Sequence, residues 1–134
     1  MTDFNFNGVP AELQEEIQEY IESELTGRGF LVCSEGGREE EVTDYIKESL
    51  WAFNASFLAS ETDIPQEVYE ALQPRCEGAN DAILKLVEKT CGLEEFVGSA
   101  TSADGYGHFL SSYDGNEEEY QASDKEYYYI YRRD

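Results

Sequence analysis

The sequence predicts an α+β fold: a compact helical body of four to five helices followed by a C-terminal two-stranded antiparallel β-ribbon, in a single domain over residues 1–134. Three observations point there. Apolar residues recur at helical spacing up to about residue 100, and the closing segment is rich in tyrosine. A chain of 134 residues that is 40% hydrophobic can also bury a core of its own.

The first helix is expected over residues 10–26. Pro10 suits a first turn and Gly27 an exit. Leu13, Ile17, Tyr20, Ile21 and Leu25 then share one face. Gly27-Arg28-Gly29 turns the chain into Phe30-Leu31-Val32-Cys33, a length that suits a strand or a buried loop. Ser34-Glu35-Gly36-Gly37 reads as a break. The strongest helix follows over 38–60, where Val42, Tyr45, Ile46, Ser49, Leu50, Phe53 and Phe57 form a persistent stripe with Trp51 off it. Thr62 or Asp63 is expected to cap a third helix that Pro74 ends, with Val68, Tyr69 and Leu72 inward. A fourth helix over 78–91 stops at Gly92, with Ala79, Ile83, Leu86 and Val87 inward, and a short fifth covers 93–100. Segments 106–113 and 126–132 are aromatic-rich, as strands are. Asp114-Gly115 turns the chain out of the first, and 116–125 forms an acidic loop, long for a hairpin.

Charge is the unusual property. Thirty acidic residues stand against nine basic ones, a formal charge of −21. The imbalance runs through the chain, with 13 acids against 3 bases in 1–50, 10 against 3 in 51–105, and 7 against 3 in 106–134. Such a field repels nucleic acid and anionic membrane and attracts basic protein surfaces. Direct nucleic-acid binding lacks its basic footprint. Cys33, Cys76 and Cys91 are odd in number and have no CxxC spacing, which predicts reduced thiols in a cytoplasmic setting. The start MTDFNFNGVP has neither a basic segment nor an apolar run, so no secretory leader is expected, and no stretch suits a bilayer span.

The residues offer little for catalysis. Asp104, His108, Ser111 and Asp114 contain the single histidine, but Asp-Gly pairs are ordinary turn chemistry and one histidine is a weak case for zinc. A calcium loop from Asp114 fails, because Glu119 stands where glycine is needed and Lys125 where a glutamate should close the site. No phosphate-binding, nucleophile-elbow or HExxH motif is present. The chain is therefore expected not to be an enzyme, and to take no metal or cofactor.

The carboxylates carry more. Glu12, Glu15, Glu16, Glu19 and Glu22 lie opposite the apolar face of the first helix, with i and i+4 partners about 6 Å apart along the axis. Duplex DNA carries a charge about every 3.4 Å along each strand, which is the same order. Glu39, Glu40 and Glu41 open the second helix, Asp44 and Glu48 continue it, and Glu117, Glu118 and Glu119 add a loop cluster. The helix macrodipole accounts for acids in a first turn, and solubility accounts for acidic faces in general. Yet the first helix has no Lys or Arg to offset its glutamates, and each like-charge pair costs a few tenths of a kcal/mol. High-salt adaptation would also fit four lysines against thirty acids. On the last strand Tyr127, Tyr129 and Tyr131 point one way and Tyr128, Ile130 and Arg132 the other, so one face is core and the other a candidate aromatic strip.

Residues 45–132 resemble small proteins carried by bacteriophages and prophages. The likeness lies in Leu50-Trp-Ala-Phe-Asn-Ala-Ser-Phe57, Cys76-Glu-Gly-Ala-Asn80, Ala103-Asp-Gly-Tyr-Gly-His-Phe-Leu-Ser-Ser-Tyr-Asp-Gly115 and Tyr129-Ile-Tyr-Arg132. It supplies no site residues and implies a phage accessory protein. In composition alone the chain is similar to anti-restriction and anti-CRISPR nucleic-acid mimics. The resulting expectation is an inhibitor that binds the basic nucleic-acid-binding surface of a host defence protein in the host cytoplasm, with the carboxylates named above as the contact. The alternative is an adaptor that binds a host or phage protein through Trp51 or the tyrosine strip.

Overall fold

The computed structural model describes residues 2–134, and the chain falls into two compact units. One comprises residues up to Val42 together with Gly105–Asp134; the other is Thr43–Asp104.

The first unit is built on a four-stranded sheet of order β1-β2-β4-β3. Its strands are β1 (Asp3–Asn7), β2 (Gly29–Cys33), β3 (Glu118–Gln121) and β4 (Tyr127–Arg132). β1 runs parallel to β2, so a crossover must join them, and α1 (Ala11–Glu24) is that crossover. β4 lies antiparallel to both β2 and β3. Alternation along each strand sorts the residues onto two faces. Phe30, Val32, Tyr128 and Ile130 meet Leu13, Ile17 and Ile21 of α1 in one core cluster, with Phe4, Phe6, Tyr20, Leu25 and Tyr120 around it. The opposite face carries Leu31, Cys33 and Tyr131, also buried.

The predicted C-terminal ribbon is therefore one pair in a larger sheet that also recruits the N-terminus. Asp-Phe-Asn-Phe-Asn has the period-2 alternation of a strand, and its phenylalanines pack toward α1. The ribbon's partner strand also differs from expectation. Residues 106–110 form helix α7 (Tyr106–Leu110), entered through Gly105 at φ 85°. Gly107 in that helix sits so close to the following turn that a Cβ there would lie 2.5 Å from the Gly115 carbonyl oxygen. The strand comes instead from the expected acidic loop. Tyr120 anchors it, its ring 4.5 Å from that of Tyr20. The connection shrinks to a short turn closed by the Lys125 amide on the Ala122 carbonyl at 2.8 Å, with Lys125 at φ 71°.

Helix α2 (Glu35–Ser49) starts inside the expected break. Ser34 caps it, its hydroxyl accepting from the Gly37 amide at 3.0 Å. Gly37 is there because the end of β1 comes very close: a Cβ would lie 2.2 Å from the Asn7 carbonyl oxygen. Gly37 marks close packing, not a chain break.

The second unit is helical. The long helix expected over 38–60 is interrupted: α2 gives way to a 3₁₀ turn at Leu50–Ala52, and α3 (Ala55–Thr62) restarts behind Asn54. Asn54 Oδ1 accepts from the Ser56 amide at 2.8 Å, an N-cap within the apolar stripe. Thr62 lies inside α3 and Asp63 closes it at φ 59°, so neither caps the next helix. That helix, α4 (Gln66–Leu72), begins after Pro65, with Tyr69 fully buried and Val68 exposed. A second 3₁₀ segment, Gln73–Ala79, leads to α5 (Asn80–Lys89), and α6 (Leu93–Asp104) runs four residues past its expected end. Phe96 packs edge-on to Phe53 and Phe57, with centroids 5.2 and 5.5 Å away. Among the described residues, no helix is long and apolar enough to cross a membrane.

Candidate functional site

The acidic residues singled out by the sequence divide into those open to solvent and those held by the fold. On α1, Glu12, Glu15, Glu19 and Glu22 are exposed, and Leu13, Ile17 and Ile21 are buried. At about 100° per residue these four cluster on the side away from the sheet, within a length of about 15 Å. α1 contains no Lys or Arg to neutralise them.

Glu16, in the middle of that row, faces elsewhere. Its carboxylate accepts from the Tyr120 hydroxyl at 2.7 Å, from the Ser123 amide at 3.0 Å and from the Ser123 hydroxyl at 2.6 Å. The Ser123 and Tyr120 hydroxyls hold its carboxyl below the ordinary glutamate value. It latches α1 to the β3–β4 turn.

The run 117–119 is dispersed by strand alternation. Glu117 pairs with Arg38 at 3.1 Å and accepts from the Tyr131 hydroxyl. Glu118 lies on the α1 side, within 3.4 Å of the Tyr20 hydroxyl, and Glu119 is exposed. Glu39 accepts from the Tyr106 hydroxyl, while Glu40 and Glu41 accept from Asn7 Nδ2 at 3.4 and 3.1 Å. Their neighbour Arg38 stacks on Tyr129, on the sheet face opposite α1. Within this unit the sheet thus separates the α1 row from the Glu39–Glu41 group, and the Glu117–Glu119 run does not join them. Asp44 and Glu48 are exposed in the second unit.

Arg38 is the organising cation that sequence reading passed over. Its guanidinium lies 3.9 Å from the Tyr106 ring centroid and 3.8 Å from that of Tyr129, sandwiched between two aromatic faces. Nη1 reaches both oxygens of Glu117, at 3.3 and 3.1 Å. Burial opposes its charge, but the Glu117 carboxylate outweighs that and holds its pKa above the usual value. The one signal in the sequence was a lone base inside Glu35-Gly-Gly-Arg-Glu-Glu-Glu41.

The tyrosine strip is largely consumed by the fold. Tyr131 is fully buried and Tyr129 lies under Arg38, which leaves Tyr127 as the member open to solvent. Trp51 is half-buried in a 3₁₀ turn, its amide donating to Asn80 Oδ1 at 3.1 Å. His108 is exposed with its ring edge-on to Phe109. Ser111 and Asp114 bond to each other at 2.7 Å within a turn. Burial, reinforced by the Glu41 charge, pushes the Cys33 thiol up to about 12, so it stays protonated. Among the described residues, no three His, Cys, Asp or Glu side chains converge as a metal site. Compared with known protein-family models, curated proteins and solved structures, the chain has no significant match.

Proposed function

We propose that the chain is a phage-type inhibitor that binds a basic, nucleic-acid-binding surface of a host defence protein by mimicking a polynucleotide backbone. The observation that carries this reading is the α1 row: Glu12, Glu15, Glu19 and Glu22, all exposed on one helix face with no basic residue on the helix. Four charges over about 15 Å approach the linear density of one DNA strand over the same length. Their mutual repulsion weakens the helix slightly, by a few tenths of a kcal/mol per pair, so helix stability does not favour them. The resemblance of residues 45–132 to phage-carried proteins supports the setting.

The contact surface is narrower than the sequence suggested. Glu16 and Glu117 are engaged internally and belong to the scaffold. The aromatic alternative draws less support, because Tyr129 and Tyr131 are committed to packing. The test is capture from bacterial lysate on the immobilised chain, followed by elution with duplex DNA. DNA should release the retained protein, and Glu12, Glu15, Glu19 and Glu22 all changed to Gln should retain none of it. Retention by that variant, or indifference to DNA, would refute mimicry.

A further inference from the structure

Strand β1 lies at one edge of the sheet, with β2 as its one neighbouring strand. The Asp3 amide donates to the Arg28 carbonyl at 2.7 Å, and the Asn7 carbonyl accepts from the Ser34 amide at 3.0 Å. Alternate residues of a strand turn their backbone groups to the same side. Asp3, Asn5 and Asn7 therefore bond to β2, while the amides and carbonyls of Phe4 and Phe6 point out from the edge. Sheets guard such an edge with charge, proline or a bulge. β3, at the opposite edge, carries Glu118 and Glu119. β1 has only Asp3 at its start, its register with β2 is unbroken, and no charged residue stands between Phe4 and Ala11. Phe4 and Phe6 are half-buried with rings 6.1 Å apart, and Phe4 continues the row to Phe30 at 6.0 Å. This aromatic layer ends at the unguarded edge.

Unpaired backbone groups in a row accept another strand, and the residues of β1 say which. Phe4-Asn5-Phe6 reads the same in both directions. An antiparallel pairing about a twofold axis at Asn5 sets Phe4 of one copy opposite Phe6 of the other, where the two exchange both backbone bonds. Asn5 then faces Asn5, and Asp3 faces Asn7, so no like charges stand opposite each other along the pair. Two chains at −21 repel over most of their surface, and β1 is an edge at which they can touch without opposing carboxylates. We propose that β1 is a self-pairing edge through which two copies join their four-stranded sheets into one continuous sheet. With one short strand on each side the contact is small, so the dimer is weak and reversible. The pairing uses no residue of the exposed α1 row and stands apart from the mimicry reading. Its salt dependence is also of opposite sign: screening the repulsion between copies strengthens it.

The experiment is sedimentation velocity of the full chain from about 10 μM to about 1 mM, in about 0.05 M and about 0.5 M NaCl. A reversible monomer–dimer equilibrium is expected, with more dimer at the higher salt. Asn5→Asp, a near-isosteric change at an exposed position, sets two carboxylates face to face across the axis. It should weaken dimerisation at least about threefold. The register is read by cross-linking in a background of Cys76→Ser and Cys91→Ser. Facing Cα atoms at position 5 would lie about 4.5 Å apart, within disulfide reach. Mild oxidation should therefore link Asn5→Cys into a dimer at least about tenfold faster than Glu119→Cys on the opposite edge. A chain that stays monomeric at the highest concentration and salt would overturn the proposal and leave the edge to an extended segment of another protein. A dimer unchanged by Asn5→Asp, or equal cross-linking at positions 5 and 119, would overturn it as well.

Discussion

The Tyr120 hydroxyl donates to Glu16 across 2.7 Å and ties the middle of α1 to the β3–β4 hairpin. One glutamate of a row of five is thereby structural while its four neighbours are solvated. Glu16→Ala should lower stability by about 1 kcal/mol, a figure kept small because the site is partly exposed. Changing Glu12, Glu15, Glu19 or Glu22 to Gln should leave stability unchanged or raise it by a few tenths of a kcal/mol. Urea midpoints for the five variants check this; equal loss in all five would remove the distinction.

Gly36 and Gly37 should respond oppositely to alanine. A Cβ on Gly37 meets the Asn7 carbonyl oxygen at 2.2 Å, against backbone that cannot swing aside, whereas one on Gly36 meets nothing within 4 Å. Gly37→Ala should cost about 2 kcal/mol or more, and Gly36→Ala should gain up to about 1 kcal/mol from helix propensity. Thermal unfolding of the two variants decides it.

Arg38 should tolerate neither Lys nor Met. Lysine keeps the charge but loses the planar stack between Tyr106 and Tyr129. A loss of about 1–2 kcal/mol is expected for Arg38→Lys and a larger one for Arg38→Met, which also leaves Glu117 without its counter-ion. Denaturant melts monitored by near-ultraviolet circular dichroism, which sees both tyrosines, give the order.

Stability should peak in mildly acidic solution. From pH 7 downward, protonation relieves the repulsion of a chain at −21. Glu16 and Asp114, whose folded pKa values are depressed by their hydrogen bonds, act the other way. Their contribution is present above the unfolded values of 4.5 and 3.8 and is lost as pH falls through the folded ones. At the alkaline end, burial and Asp124 raise Tyr128 from 10.0 to about 12, and the Glu16 bond with burial does the same for Tyr120. That contribution is complete below pH 10.0 and disappears as pH climbs through about 12. A stability profile with its maximum near pH 5 and losses at both ends is expected; a monotonic fall from pH 7 to 5 would contradict it.

The helical stripes were legible because burial and period coincide, as at Leu13, Ile17 and Ile21. What escaped depended on partners distant in sequence. Gly37 reads as a break until Asn7 is known to lie against it, and Glu118-Glu119-Tyr120 reads as a loop until Tyr20 is placed beneath it. The cap at Asn54 sits inside an apolar stripe that reads as one continuous helix, so the interruption did not show in the spacing. On α1, spacing placed Glu12, Glu15, Glu19 and Glu22 on the side away from the core, because helix geometry is local, but it placed Glu16 with them. It could not show that Glu16 meets Ser123 or that Glu117 meets Arg38, contacts made across 107 and 79 residues.

Mimicry of a polynucleotide is tested most directly by the salt dependence of partner binding, measured for the native chain and for the variant with glutamine at 12, 15, 19 and 22. Affinity of the native chain should fall steeply between about 0.05 and 0.2 M NaCl. The variant should bind at least about a hundredfold more weakly at low salt, with a flatter slope. Superimposable salt curves for the two proteins would show that the α1 carboxylates do not make the contact.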